Sequence, residues 1–287
     1  MPVGDRETIL SGLEWRHAAV PTAVLAISML VVGGVVGSQA LGAGLRSVLL
    51  VALIVGVAWT ALASVALARN ETRGGIALLL VVALFVVNLL LLTLPRVGPF
   101  AALEWNWQGK TLDLVWCLGV IALLSPGLRR EIGWTLETRP GTLPVALINI
   151  AILAAAGFLF LGSGVSSAPD GLTVERMLFD VTYPNLVEEI VFRGFMLALL
   201  DRAFGLHWTF SGARIGWGLV LTAWLFGLAH GIALDADGIA FDPALLAVTF
   251  VAGLVFGWIR ALTGSLWPAS LAHMAPEVGI LLALAQA

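Results

Sequence analysis

A chain of 287 residues that is 60% hydrophobic and only 11% charged is not an ordinary soluble domain, because those carry about 25% charged residues. Its mean hydropathy is +1.00, and its apolar runs reach roughly twenty residues, the length of a bilayer crossing. A net charge of −3 implies no nucleic-acid partner, and the single cysteine, Cys117, excludes an internal disulfide and a cysteine-built metal site.

The apolar runs predict an all-α fold: a polytopic transmembrane bundle of about eight to nine spans enclosing an intramembrane polar cavity. In chain order the nine candidate spans are 18–39, 46–68, 75–95, 111–128, 143–162, 174–200, 214–233, 243–260 and 264–285. Gly, Pro and Arg punctuate the short loops between them. With the N-terminus inside, ten basic residues fall in inner segments, among them Arg129, Arg130, Arg139, Arg202, Arg214 and Arg260. Only Arg46, Arg96, Lys110 and Arg176 fall outside, which favours a cytoplasmic N-terminus. The expected location is an integral, multi-pass cell membrane protein, of a bacterial inner membrane. Trp105, Trp107 and Trp134 read as interfacial anchors.

The first four spans contain almost nothing ionisable and read as scaffold. From Leu143 onward the character changes. This divides the chain into N-terminal scaffold helices, 1–142, and a second half, 143–287, that carries the polar chemistry. In the sixth span, Pro184 to Met196 reads PNLVEEIVFRGFM. A charged side chain at the bilayer centre costs about 2.5–3.5 kcal/mol on insertion scales, so Glu188, Glu189 and Arg193 need a reason to be there. Glu189 and Arg193 sit one helical turn apart and can pair. Glu188 is rotated by about 100° from Glu189 and need not share the arginine. It is then a free carboxylate in a dry place, a candidate general base.

Two further spans deliver polar groups at helical spacing: Phe226 and His230 from the seventh, His273 and Glu277 from the ninth. Pro276 lies between the last two and predicts a kink that would redirect Glu277. At 1.5 Å per residue, His230 lies about 24 Å from Arg214, Glu188 about 21 Å from Arg202, and His273 about 20 Å from Arg260. The three groups therefore share a depth and can converge, with the cavity expected to open toward the outer side. A Glu–Arg pair can also simply cross-link helices, and an intramembrane histidine can simply pack.

Glu188-Glu189-x-x-x-Arg193, Phe226-x-x-x-His230 and His273, in that order and each in a hydrophobic span, resemble the three motifs of the CPBP intramembrane protease family. That family includes the eukaryotic CAAX prenyl endopeptidases and bacterial bacteriocin-processing and immunity-type proteins. The stretch from Gly264 to His273 is similar to the family's last motif region, and the resemblance runs from about Leu143 to the C-terminus. It implies a bundle of about eight helices around a cavity, and peptide-bond hydrolysis. Glu188 would be the general base that activates water, Glu189 with Arg193 would orient the site, His230 would hold the water and His273 would stabilise the oxyanion. Phe226 and Glu277 would lend substrate or oxyanion support. The substrate would be a membrane-anchored protein or peptide, met within the lipid bilayer.

One position departs from the pattern: the family often has Asn where this chain has Glu277, and an ionised glutamate cannot donate to an oxyanion. Glu188, His230, His273 and Glu277 also make a plausible ligand set for a divalent metal such as zinc, though no cofactor is demanded. Two other classes stay open: a non-catalytic immunity or peptide-binding protein of the same fold, and a proton-coupled transporter. No inverted repeat or paired broken helix supports the transporter.

Overall fold

The computed structural model describes residues 15–69, 74–161, 173–235 and 238–286. The first three helices are α1 (Trp15–Val36), α2 (Ser38–Arg69) and α3 (Gly74–Thr93). After a 3₁₀ turn at Gly98–Ala102 come α4 (Trp107–Leu123) and the short α5 (Pro126–Glu131). Helix α6 (Leu143–Ala156) ends in a π turn, Gly157–Leu161. The sixth apolar run then splits into α7 (Val174–Asp180), α8 (Tyr183–Glu189), a π turn at Ile190–Met196, and α9 (Leu197–Phe204). Last come α10 (Trp217–Gly231), α11 (Pro243–Thr263) and α12 (Leu266–Leu284).

All nine predicted runs are helical along most of their length. Three stretches, Gly44–Val65, Gly74–Thr93 and Pro243–Thr263, are long and apolar enough to cross a bilayer unaided. The distribution of side chains is that of a membrane bundle. Large apolar residues such as Leu30, Leu53, Leu79, Leu147, Val251 and Leu282 face outward, whereas Asp113, Glu189 and Arg193 are buried. An aqueous fold would invert this.

The ends of the helices follow from local chemistry. Asn106 caps α4 by accepting from the Gly109 N–H at 3.0 Å. Asp242 caps α11 by accepting from the Ala244 and Leu245 N–H groups, with Pro243 in the first turn. That helix stops at Gly264, whose φ of 78° is open to glycine at little cost. Pro276 does not break α12, which runs unbroken from Leu266 to Leu284. Backbones meet closely there: a Cβ on Gly157 would strike the Pro276 carbonyl, and one on Gly279 the Ala154 carbonyl.

Two short hairpins were not expected. β1 (Trp208–Phe210) pairs with β2 (Ala213–Ile215), Phe210 facing Ala213. The connecting Ser211 and Gly212 have φ of 44° and 82°, the doubly positive pattern of a two-residue hairpin turn. β3 (Ile232–Asp235) pairs with β4 (Gly238–Phe241), with Ile232 opposite Phe241.

The core gathers Trp59, Phe85, Trp116, Val187, Phe192 and Phe226 from α2, α3, α4, α8, its π turn and α10. Trp59 Nε1 donates to the Leu221 carbonyl at 3.0 Å, tying α2 to α10. The N-terminal helices are thus bonded directly to the segment that carries the polar residues.

Candidate active site

Thr182 is extended, at φ −122° and ψ −152°, and breaks α7 from α8. Asn185 restores the connection by donating to the Asp180 carbonyl at 2.9 Å. Pro184 starts α8, where its missing N–H costs nothing. The helix then widens at Ile190–Met196, a π turn of the kind often found at functional sites. Glu188 and Glu189 close the α-helical part, and Arg193 lies inside the wider turn.

Glu189 is fully buried, and one oxygen does its bonding. Oε1 accepts from Arg193 Nη1 at 2.6 Å and from His273 Nδ1 at 2.9 Å. The guanidinium lies 4.2 Å from the centre of the Phe226 ring, 5.3 Å from Phe256 and 5.7 Å from Phe192. This aromatic box takes the place of water around the charge. His273 stacks on Phe256 at 4.8 Å and 23°, so its ring plane is held as well as its hydrogen bond.

Glu188 is open by comparison. Its Oε2 lies 3.9 Å from Nε2 of both His230 and His273. His230 Nδ1 sits 2.8 Å from the Phe226 carbonyl; a carbonyl only accepts, so that nitrogen carries a hydrogen, and Nε2 is the ring atom that faces Glu188. The predicted residues Glu188, Glu189, Arg193, Phe226, His230 and His273 are therefore brought to one place. Glu277 stands one turn beyond His273, within electrostatic reach of Asp180, His273, Arg176 and Glu188.

Two expectations are corrected. Glu188 is not a free carboxylate: its Oε1 pairs with Lys110 Nζ at 2.5 Å. Nor does Lys110 lie in an outer segment between spans. Asn106 starts α4 upstream of the predicted run, so Lys110 lies inside the helix rather than in an outer loop. One turn on is Asp113, buried and bonded to Asn88 on α3. A lone lysine spaced three residues from an aspartate at the edge of an apolar run was the available signal; its partner, 78 residues away, carried none. Trp105 and Trp107 are not merely anchors. Both pack on Phe179, and both donate to Glu175.

The metal expectation does not match this arrangement. Tetrahedral zinc at 2.0–2.1 Å from its ligands holds them roughly 3.3 Å apart, whereas Glu188 stands 3.9 Å from each imidazole and its other oxygen is taken by Lys110. Among the described residues no group of three or more His, Cys, Asp or Glu side chains is arranged to hold a metal ion.

Residues 171–278 match the family model described as type II CAAX prenyl endopeptidase Rce1-like. The match covers 108 of the 287 residues, less than half of the chain. It contains Glu188, Glu189, Arg193, His230, His273 and Glu277, and it excludes Lys110. No curated protein and no solved structure matches the chain. The matched segment thus receives one of its closest polar contacts, from Lys110 to Glu188, from outside the matched residues.

Proposed function

We propose that the protein is an intramembrane endopeptidase that hydrolyses a peptide bond near the C-terminus or membrane segment of a membrane-tethered protein. The observation that carries this reading is the convergence of three groups from three helices: Glu188 Oε2 on α8, His230 Nε2 on α10 and His273 Nε2 on α12, with 3.9 Å from the carboxylate to each imidazole. That gap is too long for a direct hydrogen bond and suits a shared water. The Rce1-like family match supports the reaction class.

In this mechanism Glu188 takes a proton from the water held between it and His230. The new hydroxide attacks the scissile carbonyl carbon, and the carbonyl electrons move onto oxygen. His273, as imidazolium, donates its Nε2–H to that oxyanion. Collapse breaks the C–N bond, and Glu188 returns its proton to the leaving amine. Glu189 and Arg193 touch no reacting atom; they hold the His273 ring. Lys110 holds Glu188 from the opposite side. Residues 143–287 serve as the catalytic core and 1–142 as the scaffold, with Lys110 contributed by the scaffold. The N-terminus lies in the cytoplasm and the membrane is a bacterial inner membrane.

The Lys110–Glu188 ion pair favours a second reading, a peptide-binding protein that uses the cluster without cleaving. One experiment separates the two: profiling C-terminal peptides of host membrane proteins in cells with the wild type or Glu188→Gln at equal expression. The peptidase reading expects specific membrane-anchored proteins to keep their tails only in the variant. If no terminus changes and the wild-type phenotype persists in Glu188→Gln, the binding reading replaces it.

A further inference from the structure

A second polar site lies away from the glutamates and histidines, where arginines converge from five parts of the fold. A cleft of about 330 Å³ is lined by Arg130, Arg139, Arg202, Arg214 and Arg260, and reaches Arg193. Its only carboxylates are Glu131 and Asp201. The volume is at the small end of ligand pockets, which run from roughly 300 to 1,000 Å³.

The cationic groups are graded from rim to base. Arg130, Arg139, Arg202 and Arg214 are exposed at the rim. Arg260 at the base is 8% exposed. Arg202 is already paired, with Glu131 at 3.3 Å. Arg139 is committed to the carbonyls of Ala261 and Leu262. Arg130 and Arg214 have no ion pair among the described residues. Arg260 donates Nη2 to the Glu131 carbonyl at 2.5 Å, but its buried Nε has no partner. Gly133 makes room for this guanidinium: a Cβ there would overlap it. Asp201 supplies an opposite charge nearby but no hydrogen bond, and its own buried Oδ1 is likewise unpartnered; a buried guanidinium left under-bonded is costly, so its open N–H calls for a further acceptor.

We propose that this cleft binds a phosphate group. A guanidinium presents a planar fork that matches phosphate oxygens in pairs, and the surplus of arginines over carboxylates exceeds what a single carboxylate ligand would need. The phosphate comes either from a soluble ion or from the headgroup of an acidic phospholipid, since basic pockets between membrane helices suit both chemistries. This inference does not rest on the peptidase reading.

The test uses the purified full chain in two settings. In detergent, inorganic phosphate is titrated against chloride at equal ionic strength, with the unfolding midpoint and calorimetric heat as readouts. In nanodiscs, native mass spectrometry after extraction compares retention of phosphatidic acid with that of phosphatidylcholine. Saturable stabilisation by phosphate without selective retention of phosphatidic acid identifies a soluble ligand; selective retention of phosphatidic acid identifies the lipid. Arg260→Gln removes a structural donor and can unfold the chain, so the variant of choice is Arg130→Gln with Arg214→Gln, two rim residues free of ion pairs. It should fold normally and bind at least about tenfold more weakly. The proposal is overturned if neither probe binds beyond its control, or if the double variant binds as tightly as the wild type.

Discussion

Glu188 and Glu189 are neighbours in the chain, yet their surroundings are opposite. Glu189 has a side chain with 0% exposure and shares one oxygen between an arginine and a histidine. Glu188 is 19% exposed, is held by Lys110 on one side and faces two imidazoles across a 3.9 Å gap on the other. Helical rotation of about 100° between consecutive residues is enough to separate a fully buried carboxylate from a partly open one. The same residue type is thus used once to hold a ring in place and once to face an open space.

Breaking the closed half should cost the most. Arg193→Leu strands a buried carboxylate among aromatic rings, and loss of about 3–5 kcal/mol is expected, read as a large fall in the unfolding midpoint in detergent. Glu188→Gln should do the reverse. Cleavage should fall by about 10²–10⁴-fold, while the unfolding midpoint falls less than in Arg193→Leu because the Gln amide oxygen can still accept from the buried Lys110. If Glu188→Gln unfolds the protein as Arg193→Leu does, the division between the two glutamates is wrong.

Smaller changes sharpen the contrast. Phe226→Leu removes the ring closest to the guanidinium and should cost about 1–3 kcal/mol of stability from lost packing and cation–π contact. Lys110→Met leaves Glu188 without its counter-ion; the expected result is roughly a tenfold lower kcat with KM little changed, as for an interaction that matters in the transition state rather than in binding. Glu277→Gln should be mildest. The residue lies a turn away from the converging atoms, and a rate change within about twofold is expected.

Much of this was readable from residue order. Long apolar runs mark helices because a bilayer admits little else, and Glu188, Glu189, Arg193, His230 and His273 stand out as polar exceptions inside them. The break at Thr182 and the π turn at Ile190–Met196 were hidden, because an apolar stretch from 174 to 200 reads the same whether or not it is continuous. Lys110 was hidden for a different reason: pairing between α4 and α8 is a tertiary event with no local period. The hairpin at Ser211-Gly212 carried a turn signal, but it was swallowed by the apolar run that follows.

The π turn also has a meaning for the alignment of related chains. It holds one more residue than an α-helical turn would, so it behaves as a built-in insertion between the carboxylates and α9, which reaches the arginine cleft through Leu197, Ala198 and Asp201. Deleting a single residue at Val191 would let the wide turn close to an ordinary α-helix, and because that turn is what absorbs the extra residue, Glu188 and α9 would keep nearly the same facing. A one-residue gap in a surface loop would leave the chemistry alone. The same gap within an ordinary α-helical stretch would turn everything before it by about 100°, so the wide turn at Ile190–Met196 is where this helix can best absorb a change of length.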